Sequence, residues 1–237
     1  MVKSSISPTI ADNYLRIQDQ IHSACADAGR SPNEVTLLAV TKTVDAARIN
    51  AAIDLGVKEI GENRVQEFLS KKDTLHLSGV KTHLIGHLQT NKVRQIVGNV
   101  QMIQSIDSLR VAQAIHQRSL ELGIITPVLV EVNIGGEEVK SGISPLELEN
   151  LLFEISLLDG IKVNGLMTVP PILQKECEKR KIFSKMYQLF VDIGTKKIDN
   201  TDMQILSMGM SGDFREAIME GSTMVRIGSA LFGERNY

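Results

Sequence analysis

Lys42 is the residue whose type and position point most directly to chemistry. It follows the apolar run Thr36-Leu37-Leu38-Ala39-Val40, which is typical of a buried strand. A lysine at that point is partly removed from water, and desolvation favours the neutral amine that attacks an aldehyde. The alternative is a lysine whose stem packs on the strand end while its ammonium group stays in water. The position alone leaves both open.

A second group of candidates lies near the C-terminus, where two apolar runs end in glycine and serine. Ser211-Gly212-Asp213 precedes a predicted helix that begins near Phe214, and Gly228-Ser229 follows the last apolar run. Glycines let a backbone approach a ligand closely, and free N–H groups at a helix N-terminus bind phosphate. The pattern predicts a phosphate site. The alternative is that the glycines only make tight turns.

An arginine interrupts the last apolar run, Met224-Val225-Arg226-Ile227. Burying an arginine is costly unless hydrogen bonds compensate its charge. Because side chains alternate along a strand, Arg226 either points into the fold or points outward and pairs with a neighbouring helix. The sequence leaves both orientations open.

These candidates lie at the ends of short apolar runs that alternate with segments of helical period. The predicted strands are Thr36–Val40, Val57–Gly61, His83–Gly86, Met102–Ile106, Val128–Ile134, Val163–Met167, Ile205–Met208 and Met224–Ile227. The predicted helices are Thr9–Ala28, one that begins after Asp45, Arg64–Lys72, Asn91–Val97, Leu109–Leu122, Leu146–Leu158, Glu176–Ile193 and Phe214–Glu220. The alternation favours an α/β fold, a single (β/α)8 TIM-type barrel preceded by an N-terminal helix, over a doubly wound open sheet.

In such a barrel the residues that follow the strands meet at one face, where active sites form. Polar side chains follow nearly every predicted strand: Lys42, Asn63, His87, Ser105, Asp107, Asn133, Thr168, Ser211 and Ser229. The sequence therefore predicts a ligand-binding mouth at this face.

The composition is that of an ordinary globular protein, with 26 basic and 28 acidic side chains among 237 residues. The near-balanced charge gives no reason to expect nucleic acid or an anionic membrane as a partner. No apolar run reaches membrane-spanning length, and no secretory signal opens the chain. Cys25 and Cys177 lie far apart and suggest free thiols in the cytoplasm. We expect one domain over residues 1–237.

Two weaker motifs carry little weight. The stretch from Gly135 to Ser141 resembles a P-loop but lacks the glycine before its lysine and places two glutamates against a phosphate. His83 and His87 are four residues apart on a strand-to-loop stretch rather than on one helix face, which argues against a shared metal.

The sequence strongly resembles the pyridoxal phosphate homeostasis proteins, the YggS/PROSC family. The matching stretches occur in family order over nearly the whole chain. They are Leu38–Thr43, Gly61–Glu67, His83–Lys92, Val130–Asn133, Gly165–Thr168, Leu206–Ser211 and Val225–Ser229. The resemblance implies a barrel similar to the N-terminal domain of alanine racemases that binds pyridoxal 5'-phosphate (PLP).

The resemblance also implies roles for individual residues. Lys42 would hold PLP as a Schiff base, and Arg226 would face the pyridine nitrogen. The phosphate would be held by Ser211, Gly228 and Ser229, with Asn63 near the ring and His87 and Met208 as further neighbours. The chain departs from many members at two loop positions, with Val44 in place of a second lysine and Gly135 in place of a serine.

An arginine against the pyridine nitrogen opposes its protonation, so the ring becomes a weaker electron sink than in aminotransferases. Racemisation also needs an acid or base on each face of the α-carbon, and alanine racemases add a second domain that supplies a tyrosine. This sequence ends at Tyr237, shortly after its last predicted strand. We therefore expect a PLP carrier or buffer without efficient turnover.

Other functions stay open at this stage. The alternative is a one-domain PLP-dependent amino-acid racemase, which α-proton exchange in deuterium oxide would reveal. A barrel enzyme for a phosphorylated substrate, without PLP, requires Lys42 to be solvated. The expected partners are PLP, amino acids and PLP-dependent apoenzymes, and we expect a monomer.

Overall fold

The computed structural model describes residues 9–137 and 141–233 as a closed barrel of eight parallel strands in chain order. The strands are β1 (Thr36–Val40), β2 (Glu59–Glu62), β3 (Lys81–Leu84), β4 (Met102–Ile106), β5 (Thr126–Glu131), β6 (Ile161–Met167), β7 (Thr201–Met210) and β8 (Met224–Ile227). The barrel closes because β1 pairs with both β2 and β8. The predicted (β/α)8 barrel is confirmed, and the open sheet was the wrong alternative.

Helices surround the barrel in the described part of the chain. They are α1 (Ile10–Asp27), α2 (Ala46–Asp54), α3 (Val65–Lys71), α4 (Val93–Ile96), α5 (Leu109–Leu122), α6 (Leu148–Ser156), α7 (Glu176–Thr195), α8 (Phe214–Met219) and α9 (Ser229–Phe232). The sequence did not predict α9, because a helix of four residues is too short to show a period. None of these helices is both long and apolar enough to cross a membrane. The prediction of one domain over 1–237 stays a prediction.

The predicted ends of several strands differ from the observed ends. β5 begins at Thr126 and ends at Glu131, whereas the prediction ran from Val128 to Ile134. β7 extends to ten residues, because it pairs with β6 as far back as Thr201. Strand ends are set by hydrogen bonds to neighbouring strands, which an apolar pattern in one sequence does not report.

The helix α1 packs across the outside of the barrel. Thr9 and Asp12 form a capping box at its start, and Ile17 and Ile21 are buried against α2 and α8 neighbours. The Asn13 side-chain amide donates a hydrogen bond of 3.0 Å to the carbonyl of Leu231 in α9. This contact ties the first helix to the last helix of the described chain.

Side chains of the strands alternate between the barrel interior and the helix layer. In β8, Met224 packs with Leu38 and Val40 in the interior, whereas Val225 and Ile227 pack against the helices. Arg226 shares the inward phase of Met224 and is 4% exposed. The open question of its orientation is therefore answered: Arg226 points inward.

Gly165 in β6 packs directly against the backbone of Ile205 in β7. Its φ is +147°, and a Cβ there would lie 1.8 Å from the carbonyl oxygen of Ile205. The register between the two strands shifts at this point. Only glycine fits, because both the backbone conformation and the space exclude a side chain.

We expect Gly165→Ala to lower the free energy of unfolding by more than about 3 kcal/mol, measured by urea denaturation. Gly29→Ala is the matched control, because Gly29 also has a positive φ, of +66°, but a Cβ added there would meet nothing within 4 Å. The control should cost about 1 kcal/mol. Equal losses in the two variants would contradict the close approach at Gly165.

Candidate functional site

A cavity of about 340 Å³ opens where the strands end and the following loops begin. It is lined by Val40, Lys42, Asn63, Ile85, Val169, Met210, Ser211, Gly212, Arg226, Gly228 and Ser229. Six of the eight residues predicted for the site lie in this lining. They are Lys42, Asn63, Ser211, Arg226, Gly228 and Ser229.

Lys42 is held on a rigid loop directly after β1. The preceding Thr41 is fully buried and donates its backbone N–H to the carbonyl of Gly61 at 2.9 Å. The following Thr43 has a φ of +60°, which is unusual for a β-branched residue. Its backbone N–H is held by the carboxylate of Glu67. The loop therefore fixes the backbone of Lys42 on both sides.

A largely buried lysine, Lys71 of α3, holds the same loop through hydrogen bonds. Its ammonium donates to the carbonyls of Thr41 at 2.9 Å and Val44 at 3.2 Å, and it pairs with Glu62 at 2.5 Å. Burial raises the pKa of Glu62, although Lys71 and Thr41 act in the opposite direction. These contacts make Lys71 a structural cation and leave Lys42 as the amine that lines the cavity.

Asn63 presents a buried acceptor at the cavity. Its Oδ1 has no hydrogen-bond partner among the described residues. The backbone of Asn63 packs against Gly86, where a Cβ would lie only 2.3 Å from the Asn63 carbonyl oxygen. Ser105 holds the Gly86 carbonyl with a hydrogen bond of 2.7 Å. Since buried acceptors are normally paired, this orphan oxygen indicates a ligand position.

The loops after β7 and β8 form one wall of the cavity. Ser211 Oγ lies 3.2 Å from the backbone nitrogens of both Gly228 and Ala230 and accepts their N–H groups. This contact joins the β7 loop to the start of α9. A Cβ on Gly212 would meet nothing within 4 Å, so the wall is open there. The backbone of Gly212 is held by Lys179, which donates to its carbonyl at 2.9 Å.

Arg226 closes the bottom of the cavity. Its Nη1 donates to the carbonyl and the hydroxyl of Ser207, both at 2.7 Å, and its Nη2 donates to the carbonyl of Thr168 at 2.7 Å. Burial lowers the pKa of Arg226 to about 10, so the guanidinium stays protonated at neutral pH. Its partners are neutral oxygens, and the site therefore retains a buried positive charge.

Two predicted site residues lie outside the cavity lining. Met208 is fully buried, but alternation along β7 turns it outward, into the apolar layer between the strands and the helices. His87 is half exposed and lies 3.3 Å from the carboxylate of Asp107 on the rim. His83 points into the barrel instead, so the two histidines are not neighbours in one site. Of the P-loop-like stretch, Glu138, Val139 and Lys140 lie outside the described residues.

Glu131 is a functional candidate that the sequence analysis missed. It ends β5, is 6% exposed, and burial together with the nearby Asp107 raises its pKa to about 7. The charges of Arg226 and His87 act in the opposite direction. The sequence did contain a signal for Glu131, the same one that identified Arg226 as a candidate: a charged residue inside an apolar run. Glu131 therefore titrates near neutral pH beside the cavity arginine.

The raised pKa of Glu131 makes stability depend on pH. Between the ordinary value of 4.5 and about 7, the folded state binds the extra proton, so stability falls as pH rises through this range. Above about pH 7 the carboxyl group is ionised in both states, and the full cost of burying its charge lowers the free energy of unfolding. We expect Glu131→Gln to raise the free energy of unfolding by about 1–3 kcal/mol at about pH 8, and by far less at about pH 4.

Urea denaturation at the two pH values checks this. Glu154→Gln on α6 is the matched control, because Glu154 is exposed. The control should change stability little at either pH. An equal gain for Glu131→Gln at both pH values would show that its carboxyl group is not desolvated.

Comparison with known proteins identifies relatives over almost the whole chain. The model of the alanine racemase N-terminal domain family matches residues 13–236. The pyridoxal phosphate homeostasis protein of Aquifex aeolicus is 45% identical over 223 residues, which cover 94% of this chain and 96% of that protein. The protein of the same name from Escherichia coli K12 is 40% identical, covering 96% and 97% of the two chains.

Solved structures give the same picture. PipY of Synechococcus elongatus, solved with PLP bound, superimposes with a TM-score of 0.84 at 30% identity, covering 95% of this chain and all of that chain. An alanine racemase from Clostridium difficile is 17% identical with a TM-score of 0.73 over 57% of its length, and so shares the fold. The chain belongs to the alanine racemase N-terminal domain family and, within it, to the pyridoxal phosphate homeostasis proteins.

Proposed function

We propose that this protein binds PLP, holds it as a Schiff base on Lys42, and acts in intracellular PLP homeostasis as a carrier or buffer. One observation carries the proposal. A single cavity gathers a primary amine, a buried arginine without a carboxylate partner in the described chain, an unpaired amide oxygen and a glycine-serine wall. The PLP-bound PipY structure and the named relatives support the same ligand.

The residues of the cavity fit PLP in size and in chemistry. Ligand cavities range upward from about 300 Å³, and this one has about 340 Å³. Val40, Ile85 and Val169 supply apolar contacts for an aromatic ring. Bound PLP supplies an aldehyde that a primary amine can attack. Among the described residues that line the cavity, Lys42 is the one with such an amine.

The wall of the β7 and β8 loops suits the phosphate. Ser211 and Ser229 offer hydroxyl donors, and a Cβ on Gly212 would meet nothing within 4 Å, so the backbone is accessible there. Loops in this position commonly hold phosphate in barrels of this class. The Ser211 hydroxyl already accepts two N–H groups, so its own hydrogen is free for a phosphate oxygen.

Arg226, at the bottom of the cavity, suits the pyridine nitrogen and limits the chemistry. A guanidinium donates and does not accept protons at neutral pH, so Arg226 stabilises an unprotonated ring nitrogen. An unprotonated pyridine withdraws electrons weakly, and carbanion formation on bound amino acids is disfavoured. The site is therefore suited to holding the cofactor rather than to rapid turnover.

The remaining partners follow from this chemistry. A Schiff base on Lys42 can exchange with a free amine, which makes amino acids and the lysines of PLP-dependent apoenzymes the expected recipients. Cys25 and Cys177 are both free thiols, which supports a reducing cytoplasmic location. We propose that the protein is a monomer.

Replacing Lys42 tests the central claim. Purified wild-type protein incubated with PLP should show a visible absorption band that borohydride bleaches, and mass analysis should find the pyridoxyl group on the peptide of Lys42. We expect Lys42→Ala to lose the bleached adduct, because the amine is gone. Lys58→Ala removes an exposed lysine before β2, at the opposite end of the barrel, and should keep the adduct. Label on other lysines with none on Lys42 would refute the assignment.

Replacing Ser211 tests the phosphate wall. A hydrogen bond to a charged group is worth about 1.5–3 kcal/mol, so Ser211→Ala should weaken PLP binding by roughly 10- to 150-fold. Pyridoxal, which lacks the phosphate, is the matched control ligand, and its affinity should change far less. Equal losses for PLP and pyridoxal, measured by equilibrium titration, would place the phosphate elsewhere.

A further inference from the structure

The interior of the barrel contains a line of polar side chains in an otherwise apolar space. They are contributed by five strands and are all buried: Glu59, His83, Gln104, Ser207 and Arg226. Buried polar groups cost free energy unless each is hydrogen-bonded, so a series of five of them needs a structural reason. Together they connect the end of the barrel where the strands begin to the cavity at the other end.

The cavity end of this line fixes the arginine. Arg226 Nη1 donates both of its hydrogens to Ser207, one to the carbonyl and one to Oγ. Because Oγ accepts from the arginine, its own hydrogen is directed elsewhere, and it donates to Gln104 Oε1 at 2.8 Å. The guanidinium is thus oriented by the Ser207 hydroxyl, and the hydrogen of that hydroxyl is in turn bonded to Gln104.

The orientation of the Gln104 amide is fixed by its other contacts. Its Nε2 lies 2.9 Å from His83 Nδ1 and 3.2 Å from the sulfur of Met224. An amide nitrogen only donates, so His83 Nδ1 accepts and its proton resides on Nε2. Turning the amide around would place its oxygen against the Met224 sulfur, which has no hydrogen to donate.

The lower end of the line is a carboxylate. His83 Nε2 lies 3.1 Å from Glu59 Oε2, and Lys81 Nζ lies 3.2 Å from Glu59 Oε1. Burial alone would raise the pKa of Glu59, but His83 and Lys81 outweigh burial and hold it below the ordinary value. Hydrogen bonds therefore link the buried cation Arg226 through Ser207 and Gln104 to His83. His83 Nε2 then lies close to the ionised carboxylate of Glu59 without the geometry of a hydrogen bond.

We propose that Gln104 and Ser207 are positioning residues for Arg226, which hold its free donors towards the ligand in the cavity. A guanidinium has five N–H donors, and three are bonded to Ser207 and Thr168. The remaining two, on Nε and Nη2, have no protein partner in the described chain. The inference rests on the proposed function, because PLP is the ligand that those donors would meet.

A ligand-free measurement tests the positioning itself. In isotope-labelled protein without PLP, restricted rotation of the held guanidinium should give separate NMR resonances for the nitrogens of Arg226, assigned with Arg226→Lys. We expect Ser207→Ala and Gln104→Met to average these resonances. Gln104→Glu keeps the acceptor for the Ser207 hydroxyl and should retain them. Unchanged resonances in both Ser207→Ala and Gln104→Met would refute the proposal.

PLP binding gives the second measurement. Ser207→Ala and Gln104→Met should each raise the Kd for PLP about tenfold, the equivalent of one hydrogen bond, and shift the midpoint of the pH titration of the visible band. The double variant should lose no more than either single variant, because the two residues act through one contact. Additive losses would refute a shared role.

Ser119→Ala provides the matched control. Ser119 is fully buried and shares a hydrogen bond of 2.7 Å with Thr126, away from the cavity. It should lower thermal stability as the test variants do but leave Arg226 and the PLP titration unchanged. A wild-type protein that binds no PLP would refute the proposed function, whereas the ligand-free NMR comparison would still decide whether Gln104 and Ser207 position Arg226.

Discussion

The pairing of β8 with β1 is the constraint on which the site depends. It closes the barrel and leaves no exposed sheet edge in the described chain. The register places Leu38 opposite Arg226 and Ala39 opposite Ile227. The loop that carries Lys42 therefore follows one strand while Gly228 follows its neighbour. Residues far apart in sequence become adjacent because the first and last strands share hydrogen bonds, and backbone pairing alone brings amine, cation and glycine wall together.

Closure also creates the main energetic difficulty of the fold. An arginine enclosed by a barrel loses its hydration, and the lowered pKa of Arg226 reflects that loss. Neutral oxygens from Ser207 and Thr168 compensate part of the cost without cancelling the charge. A carboxylate in direct contact would stabilise the arginine more, but it would also occupy the donors. The arrangement leaves donors of the guanidinium free in a site shielded from water, where an electrostatic contact with a ligand is strong.

The sequence predicted the barrel and the residues that carry charge or flexibility at strand ends. Lys42 and Arg226 could be identified as candidates because a charged residue at or within an apolar run is costly to bury and so indicates a specific role. Met208 was predicted by resemblance, and alternation along β7 turns its side chain into the apolar layer, outside the cavity lining. The sequence did not identify Gln104 as a candidate, because a neutral polar residue in a strand is common and does not stand out as a charged one does. Its role depends on hydrogen bonds to other strands, which one sequence does not contain.

The same physical terms explain why a binding protein tolerates unsatisfied groups. Asn63 Oδ1 is a buried acceptor without a partner in the described chain, and Arg226 keeps unused donors. Each such group costs free energy until it is paired, and a ligand that pairs with it recovers that free energy on binding. The Lys42 loop and the Gly86 contact are already rigid, so little ordering opposes this gain. The free energy that these groups lose while unpaired is recovered when a ligand pairs with them, and this recovery increases affinity. The fold places both groups where they face the cavity.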